Sequence, residues 1–421
     1  MSAARLKTGA VAVTGLGIVT ALGTGVTDNW TRLCAGQSGV RAIRRFPTTG
    51  LKTSIAATVD DITVDPLNVP DLCDAMAHSA IEEALTQSAI GARGRFPGPL
   101  FLAIPPLELE WPERLALAAA SNAREPTFDD LLRVAASGRF KSLDARCQHG
   151  SVALRLKAKF GTQGSPISLN TACASGASAL QLGVEAIRRG ETDVALCVGT
   201  EGAVNVENII RFSLLSALSV RNHPPAEASR PFAKSRDGFV MGEGAAALVL
   251  ESVSAAHARG ARILALLTGL GESVDPYHRT RGNPDGTPIV ACMMRAITDA
   301  GIAPEAIDYV SAHGTSTPEN DKTEFLALSA VMGGHLSRIA ASSNKSMIGH
   351  TLSAAGAIEA AFTVLTLQHQ RLPPTINYRE PDPEIPLDVV PNVARDATVR
   401  YALSNSFGFG GQNVSLVIAA A

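Results

Sequence analysis

Several features that define large classes of proteins are missing from this chain of 421 residues. Its net charge of −2 gives no reason to expect nucleic acid or an anionic membrane as a partner. No apolar run reaches the ~20 residues of a membrane-spanning helix. The first residues lack the charged-then-apolar layout of a signal peptide, so we expect a cytoplasmic protein. The six cysteines show no Cys-x-x-Cys spacing, which makes a zinc ribbon or a disulfide framework unlikely to be the organising feature: Cys34, Cys73, Cys147, Cys173, Cys197 and Cys292.

Short strand-like apolar runs alternate with alanine-rich helical stretches along the whole chain. Alternation of this kind is typical of α/β proteins, and the many alanines and glycines suit close packing of helices on a sheet. The predicted strands and helices that carry this interpretation are strands at 11–14, 100–104, 167–169, 194–198 and 246–250, and helices at 28–35, 72–88 and 176–189.

An internal repeat indicates that the chain has two similar halves. The sequence at 13–17 recurs at 267–271, and the sequence at 237–244 resembles that at 406–413. Between these pairs, the strand and small-residue helix around Cys173 resemble 339–345 followed by 353–359. Three matches in the same order predict two layered α/β halves, 1–255 and 256–421, with the active site at their junction.

Cys173 lies where a predicted strand turns sharply into a predicted helix. We expect this turn to expose the sulfur and to direct the positive end of the helix dipole at it, which would favour the thiolate. The small residues around it would let a substrate carbonyl approach closely. The alternative is a buried structural cysteine, since free cysteines are commonly buried.

Two histidines follow strand-like segments in the second half. His313 precedes a Gly-Thr-Ser-Thr-Pro run, and His350 closes the stretch that begins at Asn344-Lys345. Each is a candidate catalytic group on a loop, although a structural histidine is the commoner case. Lys345 lies in apolar sequence and needs a partner, for which Asp321 and Glu324 are candidates; these acids could instead be ordinary first-turn residues of a helix.

The glycine-rich sequence around Phe407 and Phe409 could bring backbone N–H groups close to a ligand, as an oxyanion hole requires. It could also be a tight turn with core aromatics. Taken together with one cysteine and two histidines, it favours acyl-thioester chemistry, in which cysteine takes the acyl group and neutral histidines stabilise a developing enolate. A partner that would orient a protease-type histidine is not evident, which makes hydrolysis the weaker alternative.

At these residues the chain resembles the β-ketoacyl-acyl carrier protein synthases, in particular the elongating condensing enzymes of fatty acid synthesis and their polyketide relatives. The Cys-His-His pattern is that of elongating enzymes. The matching motifs occur in the family's order over nearly the whole chain: 13–17, 35–39, 171–176, 230–232, 236–239, 242–244, 313–318, 344–346, 349–350, 354–356, 373–377 and 405–411.

The resemblance implies the thiolase fold, an α/β fold with two pseudo-symmetric αβαβα halves that form a five-layered core. It implies that Cys173 accepts the acyl chain, and that His313 and His350 stabilise the enolate left when a malonyl unit loses carbon dioxide. The N–H groups of Cys173 and Phe409 would form the oxyanion hole, and Phe409 would also gate the acyl pocket. Lys345 would be tied electrostatically to Asp321 and Glu324. The supporting residues implied by the resemblance are Phe239, Phe407, Asp321, Glu324 and Glu359.

The resemblance also implies acyl carrier protein as the partner, usually a homodimer, and no metal or redox cofactor. Three segments depart from the family's pattern: 104–111, 68–76, where a basic run is missing, and 279–286. They predict a specialised member with its own carrier protein or acyl chain. A non-condensing partner subunit and a thioester hydrolase remain as alternatives, although chain-length-factor subunits lack the cysteine that is present here.

Overall fold

The computed structural model describes residues 9–92 and 94–421. Eleven strands of this part form one sheet with the order β11-β10-β14-β15-β9-β1-β8-β7-β5-β6, and β2 pairs with β1. The strands are β1 (Val11–Thr20), β2 (Gly23–Thr24), β3 (Arg41–Ala42), β4 (Ile55–Ala56), β5 (Leu100–Ala103), β6 (Ile167–Leu169), β7 (Val194–Glu201), β8 (Gly244–Ser252), β9 (Ala265–Val274), β10 (Tyr309–Ser311), β11 (Ala340–Ser342), β12 (Arg371–Leu372), β13 (Arg395–Asp396), β14 (Tyr401–Phe407) and β15 (Gln412–Ala419).

Helices cover both faces of this sheet, as the nearly continuous burial of its strands requires. They are α1 (Val26–Cys34), α2 (Val69–Ser88), α3 (Trp111–Ala120), α4 (Phe128–Ala136), α5 (Lys141–Cys147), α6 (Ser151–Phe160), α7 (Ser175–Arg188), α8 (Val206–Leu214), α9 (Val253–Ala258), α10 (Thr287–Ala300), α11 (Pro318–Met332), α12 (Lys345–Ile348) and α13 (Ala355–His369).

The sheet order is mirrored about the contact between β1 and β9. On one side the order is β1-β8-β7-β5-β6, and on the other it is β9-β15-β14-β10-β11. Helices α7 and α13 pack against each other and against strands of both sides, while α2 contacts β1 and β8 and α10 contacts β9 and β15. The predicted α/β architecture is therefore present. The boundary between 1–255 and 256–421 stays a prediction.

The two central helices touch through glycine. A Cβ atom added to Gly176 on α7 would lie 2.4 Å from the backbone nitrogen of Ala357, and one added to Gly356 on α13 would lie 2.4 Å from that of Ala177. Both distances are far below a van der Waals contact, so each position requires glycine for this helix crossing. The contact fixes the start of α7, and with it Cys173, relative to the second half.

The segments that looked inserted differ in structure. Residues 107–144 contain α3, α4 and the start of α5, and no residue of these three helices is buried. Residues 274–286 form a loop after β9, as predicted, and part of it lines the cavity that contains both histidines. Among the described residues, no helix has the length and apolar character needed to cross a membrane.

Candidate active site

Cys173 lies at a constrained turn between β6 and α7. The preceding residue, Ala172, has a φ of 50°, a left-handed conformation that a residue with a Cβ atom rarely adopts. The hydroxyl of Ser175 holds this turn, since it donates to the Ala172 carbonyl at 2.6 Å and accepts from the Thr171 N–H at 2.8 Å. The predicted strand-to-helix turn is therefore present, and it places Cys173 just before the first turn of α7.

The expectation of an exposed sulfur that favours the thiolate is wrong. Cys173 is only 6% exposed, and burial raises the pKa of its thiol to about 11. The Phe409 N–H, which is directed at the sulfur, and the charge of Lys345 oppose this rise in pKa but do not overcome it. Loss of solvation therefore outweighs the favourable helix end, and the resting form of Cys173 is the thiol.

The two histidines lie side by side, as the sequence predicted. The ring centroids of His313 and His350 are 5.3 Å apart at an angle of 84°. The Leu352 N–H donates to Nδ1 of His350 at 3.3 Å, so the ring proton of neutral His350 is on Nε2. This Nε2 is buried and has no hydrogen-bond partner among the described residues. Lys345 Nζ lies 3.5 Å from Nδ1 of His313, which likewise favours a proton on Nε2 there.

Both imidazoles are held in the neutral form. Burial lowers the pKa of His313 well below its usual value, and the positive charge of Lys345 and the nearby His350 lower it further. Burial and Lys345 have the same effect on the pKa of His350. Two neutral imidazoles that carry Nε2 protons are hydrogen-bond donors for an oxygen atom that gains negative charge.

Lys345 is paired with Glu359, and its predicted pairing with Asp321 and Glu324 is wrong. Its ammonium group donates to Oε1 of Glu359, and both side chains are 1% exposed. Burial raises the pKa of Glu359 to about 7, although the charge of Lys345 opposes this. Glu359 lies on α13, the helix that packs against α7. Glu359 therefore joins the histidine-bearing segment to the central pair of helices.

The two acids expected to bind Lys345 support the loop of His313 instead. Glu324 accepts the N–H groups of His313 and Gly314 at 2.9 and 2.8 Å, one with each carboxylate oxygen. Asp321 accepts the N–H of Phe232 at 2.8 Å and that of Ser316 at 3.2 Å. Burial raises the pKa of both carboxyl groups, that of Glu324 to about 7. They set the path of the backbone around His313.

The aromatic residues surround this cluster. The Phe239 ring lies 5.3 Å from that of His350, and the Phe407 ring lies 5.4 Å from that of His313. Phe409 is half-buried at the glycine-rich turn, with its N–H directed at the Cys173 thiol. All the site residues named from the sequence therefore lie in one cluster or in the shell that supports it.

Two cavities meet at Cys173. The first, which we call the histidine cavity, has a volume of about 200 Å³ and is lined by His313 and His350 together with the hydroxyl-bearing Thr315 and Thr317. The second, which we call the side cavity, has a volume of about 330 Å³ and runs along α8. The residues that line both are Cys173, Leu215, Leu352 and Phe409.

The residues of α8 were missed by the sequence prediction. Asn205, Asn208, Phe212 and Leu215 line the side cavity and recur at the three- and four-residue spacing of one helix face. Asn205 is the N-cap of α8 and accepts the Asn208 N–H at 3.0 Å. A capping Asn before an apolar periodic run is a recognisable helix start and could have located α8, although not its role as a cavity wall.

Comparison with known proteins identifies the family. The model of the beta-ketoacyl synthase N-terminal domain matches residues 115–256, and that of the C-terminal domain matches residues 264–379. A 3-oxoacyl-[acyl-carrier-protein] synthase 2 of Coxiella burnetii is 39% identical over 97% of this chain and 98% of its own length. The chain belongs to the beta-ketoacyl synthase family.

Other relatives of the family include polyketide enzymes. A putative polyketide beta-ketoacyl synthase of Streptomyces cyaneus is 35% identical over 95% of this chain and 96% of its own length. A type II polyketide ketosynthase, solved with its acyl-carrier protein and bound to the hexaketide, is 32% identical with a TM-score of 0.85 over 99% of this chain and all of its own. A beta-ketoacyl synthase from Burkholderia phymatum is 31% identical, with a TM-score of 0.84 over 98% of this chain and 99% of its own. The predicted thiolase fold is confirmed.

Proposed function

We propose that this chain is a 3-oxoacyl-[acyl-carrier-protein] synthase, an acyltransferase that lengthens an acyl chain by decarboxylative Claisen condensation. One observation carries the proposal: Cys173 lies where two cavities meet, and one of them contains two neutral histidines. One cavity can hold the acyl chain that Cys173 accepts, while the other holds the unit that will attack it. A hydrolase would need only one of these two spaces.

The first step is acyl transfer to Cys173. The sulfur attacks the carbonyl carbon of the incoming acyl thioester, a new carbon–sulfur bond forms, and the carrier's thiolate leaves and takes up the proton that Cys173 loses. The high pKa of the buried thiol keeps it protonated at rest. The N–H groups of Cys173 and Phe409 stabilise the negative charge on the carbonyl oxygen during this exchange.

The second step produces the attacking carbon. A malonyl thioester in the histidine cavity loses carbon dioxide, and the electrons of the broken carbon–carbon bond form an enolate. The Nε2 protons of His313 and His350 donate hydrogen bonds to the thioester oxygen, on which the charge accumulates. The lowered pKa values keep both rings neutral, so neither ring forms a competing ion pair with the malonyl carboxylate.

The third step is condensation. The enolate carbon attacks the carbonyl carbon of the acyl group on Cys173, a carbon–carbon bond forms, and the Cys173 thiolate leaves. The product is a 3-oxoacyl thioester on the carrier, and the thiolate regains a proton from water. The chain's own residues balance each step without a redox change, and we propose that no metal or redox cofactor takes part.

The partners follow from the same chemistry. We propose that an acyl carrier protein delivers both thioesters on its phosphopantetheine arm, through the hydroxyl-lined histidine cavity. We further propose a homodimer, because β6 is at the end of the sheet and leaves one edge uncovered. Close to this edge in sequence, Trp111 and Phe128 are 55% and 74% exposed, which a second copy would correct.

Intact-mass measurement after incubation with a graded series of acyl thioesters tests the proposal. The expected result is a mass gain of one acyl group that disappears in Cys173→Ala and persists in the matched control Cys147→Ala. Adding malonyl-carrier protein should then release carbon dioxide and a 3-oxoacyl product. Acylation without condensation would instead support a non-condensing subunit, and release of free acid would support a hydrolase.

A further inference from the structure

The side cavity carries an unusual pair of polar groups. Asn205 and Asn208 lie three residues apart on α8 and both line it. Asn205 Oδ1 accepts the Asn208 N–H, and Asn208 Nδ2 donates to the Ala203 carbonyl at 3.1 Å. Asn205 Nδ2 and Asn208 Oδ1 make no hydrogen bond to any residue within 9–92 or 94–421. The cavity wall therefore offers one free donor and one free acceptor.

These amides lie beyond the site as seen along α8. Leu215 lines both cavities, and the Phe212 ring lies 5.3 Å from that of Phe239, which in turn lies 5.3 Å from that of His350. Asn208 is one turn further towards the start of the helix, about 6 Å past Phe212. A chain that extends from Cys173 along this helix therefore meets the apolar Phe212 and Leu215 before it reaches Asn208.

The charged groups of the same cavity are already engaged with one another. Glu108 accepts two hydrogen bonds from Arg211, at 3.1 and 2.6 Å, and one from Arg114 at 3.0 Å. Glu207 accepts the Trp111 N–H at 2.5 Å. A charged group at the end of an acyl chain would have to displace one of these partners. A neutral group that both donates and accepts is the better match to what is free.

We propose that the side cavity selects acyl chains that carry a hydroxyl group, which donates to Asn208 Oδ1 and accepts from Asn205 Nδ2. This inference rests on the proposed function, because the chain must be attached to Cys173 to enter the cavity. A methylene group in the same place would remove water from both amides without replacing its hydrogen bonds. A ketone would satisfy the donor of Asn205 and leave the acceptor of Asn208 unpaired.

The test compares acyl thioesters of one chain length that differ only in the position of a hydroxyl group, with the plain alkyl thioester as reference. Acylation of Cys173 is followed by intact mass over time. We expect one hydroxyl position to react about 10- to 100-fold faster than the alkyl chain, because a site that hydrogen-bonds a substrate group rejects the analogue that lacks it. A keto thioester with oxygen at that position should lie between the two.

Asn208→Leu is the decisive variant, because it keeps the side-chain size and leaves the helix cap in place. It should reverse the preference, so that the alkyl chain reacts at least as fast as the hydroxylated chain. Asn205→Asp retains the cap and removes only the donor, so it should reduce the preference. Ser213→Ala lies on the same helix but lines neither cavity, and it should keep the wild-type ratio. Circular dichroism and thermal unfolding verify that each variant is folded.

Each result has a distinct meaning. Equal rates for hydroxylated and alkyl chains in the wild type, or an unchanged ratio in Asn208→Leu, would overturn the selectivity while leaving the condensing function intact. A stronger preference for the ketone than for the alcohol would also overturn it. If no thioester acylates Cys173, the proposed function itself fails, and the inference fails with it.

Discussion

Glu324 holds the backbone of His313 in place, with one carboxylate oxygen on the N–H of His313 and the other on that of Gly314. The carboxylate is buried, so these two N–H groups are shielded from water and depend on it. The link explains why a residue eleven positions away along the chain affects the histidine. Glu324 acts on the site through the backbone without touching the cavity itself.

Glu324→Gln should therefore destabilise the protein and lower the rate of decarboxylation. The amide nitrogen cannot accept a hydrogen bond, so one buried N–H loses its partner at a cost of about 1–3 kcal/mol. Urea unfolding measures the stability, and carbon dioxide release from malonyl-carrier protein measures the rate. Glu319→Gln, an exposed residue on the same helix, is the control for stability. Equal stability of Glu324→Gln and the wild type would contradict this account.

The Lys345–Glu359 pair should show strong coupling. Lys345→Met or Glu359→Leu alone leaves an uncompensated buried group and should cost about 3–5 kcal/mol of unfolding free energy. The double variant removes both groups and should be more stable than the sum of the two single losses predicts. A double-mutant cycle by urea unfolding measures the coupling energy. Additive losses would mean that the pair contributes nothing as a pair.

The pH dependence of decarboxylation should reflect the low pKa values of the histidines. A group whose pKa is lowered remains neutral until the pH falls well below its ordinary value, so the rate should stay level from pH ~8 to ~6. Lys345→Met removes one cause of the lowering and should move the acid limb to higher pH. Initial rates of carbon dioxide release provide the profile. A midpoint near 6.5 in the wild type would refute it.

Gly356→Ala should disturb the contact between the central helices. The new Cβ atom would meet the backbone of Ala177 at 2.4 Å, so α7 and α13 must move apart. We expect a loss of about 1–3 kcal/mol from overpacking, together with slower acylation of Cys173. Gly334→Ala, where the added atom has nothing within 4 Å, is the matched control. Thermal unfolding and acylation kinetics of the two variants separate a specific clash from a general effect of alanine.

The sequence was most informative where function depends on local geometry. The turn at Cys173 was visible from an apolar run followed by small residues, and the motifs located both histidines. The partner of Lys345 was not visible, because spacing along the chain favoured acids near His313 while the actual partner, Glu359, approaches across a helix packing. The state of Cys173 was also wrong, since a helix end can be inferred from a motif but burial depends on the completed fold.

The side cavity was beyond local prediction for a related reason. Asn205 and Asn208 looked like an ordinary helix start, and only the packing of α8 beside the 105–114 segment turns them into a wall. Helices α3, α4 and α5 were expected only as an inserted segment. Their exposed apolar residues have no counterpart within the described chain, so nothing in their own periodicity fixes what covers them.

Cys173 and Phe409 belong to opposite halves of the sequence, which has a consequence for biosynthesis. A ribosome releases Cys173 long before it makes Phe409, β14 and β15. Until those last strands are in place, the growing polypeptide presents a cysteine without the N–H group of Phe409 beside it. Acyl transfer is therefore a property that the newborn protein acquires only near the end of its synthesis, which protects the unfinished chain from premature modification.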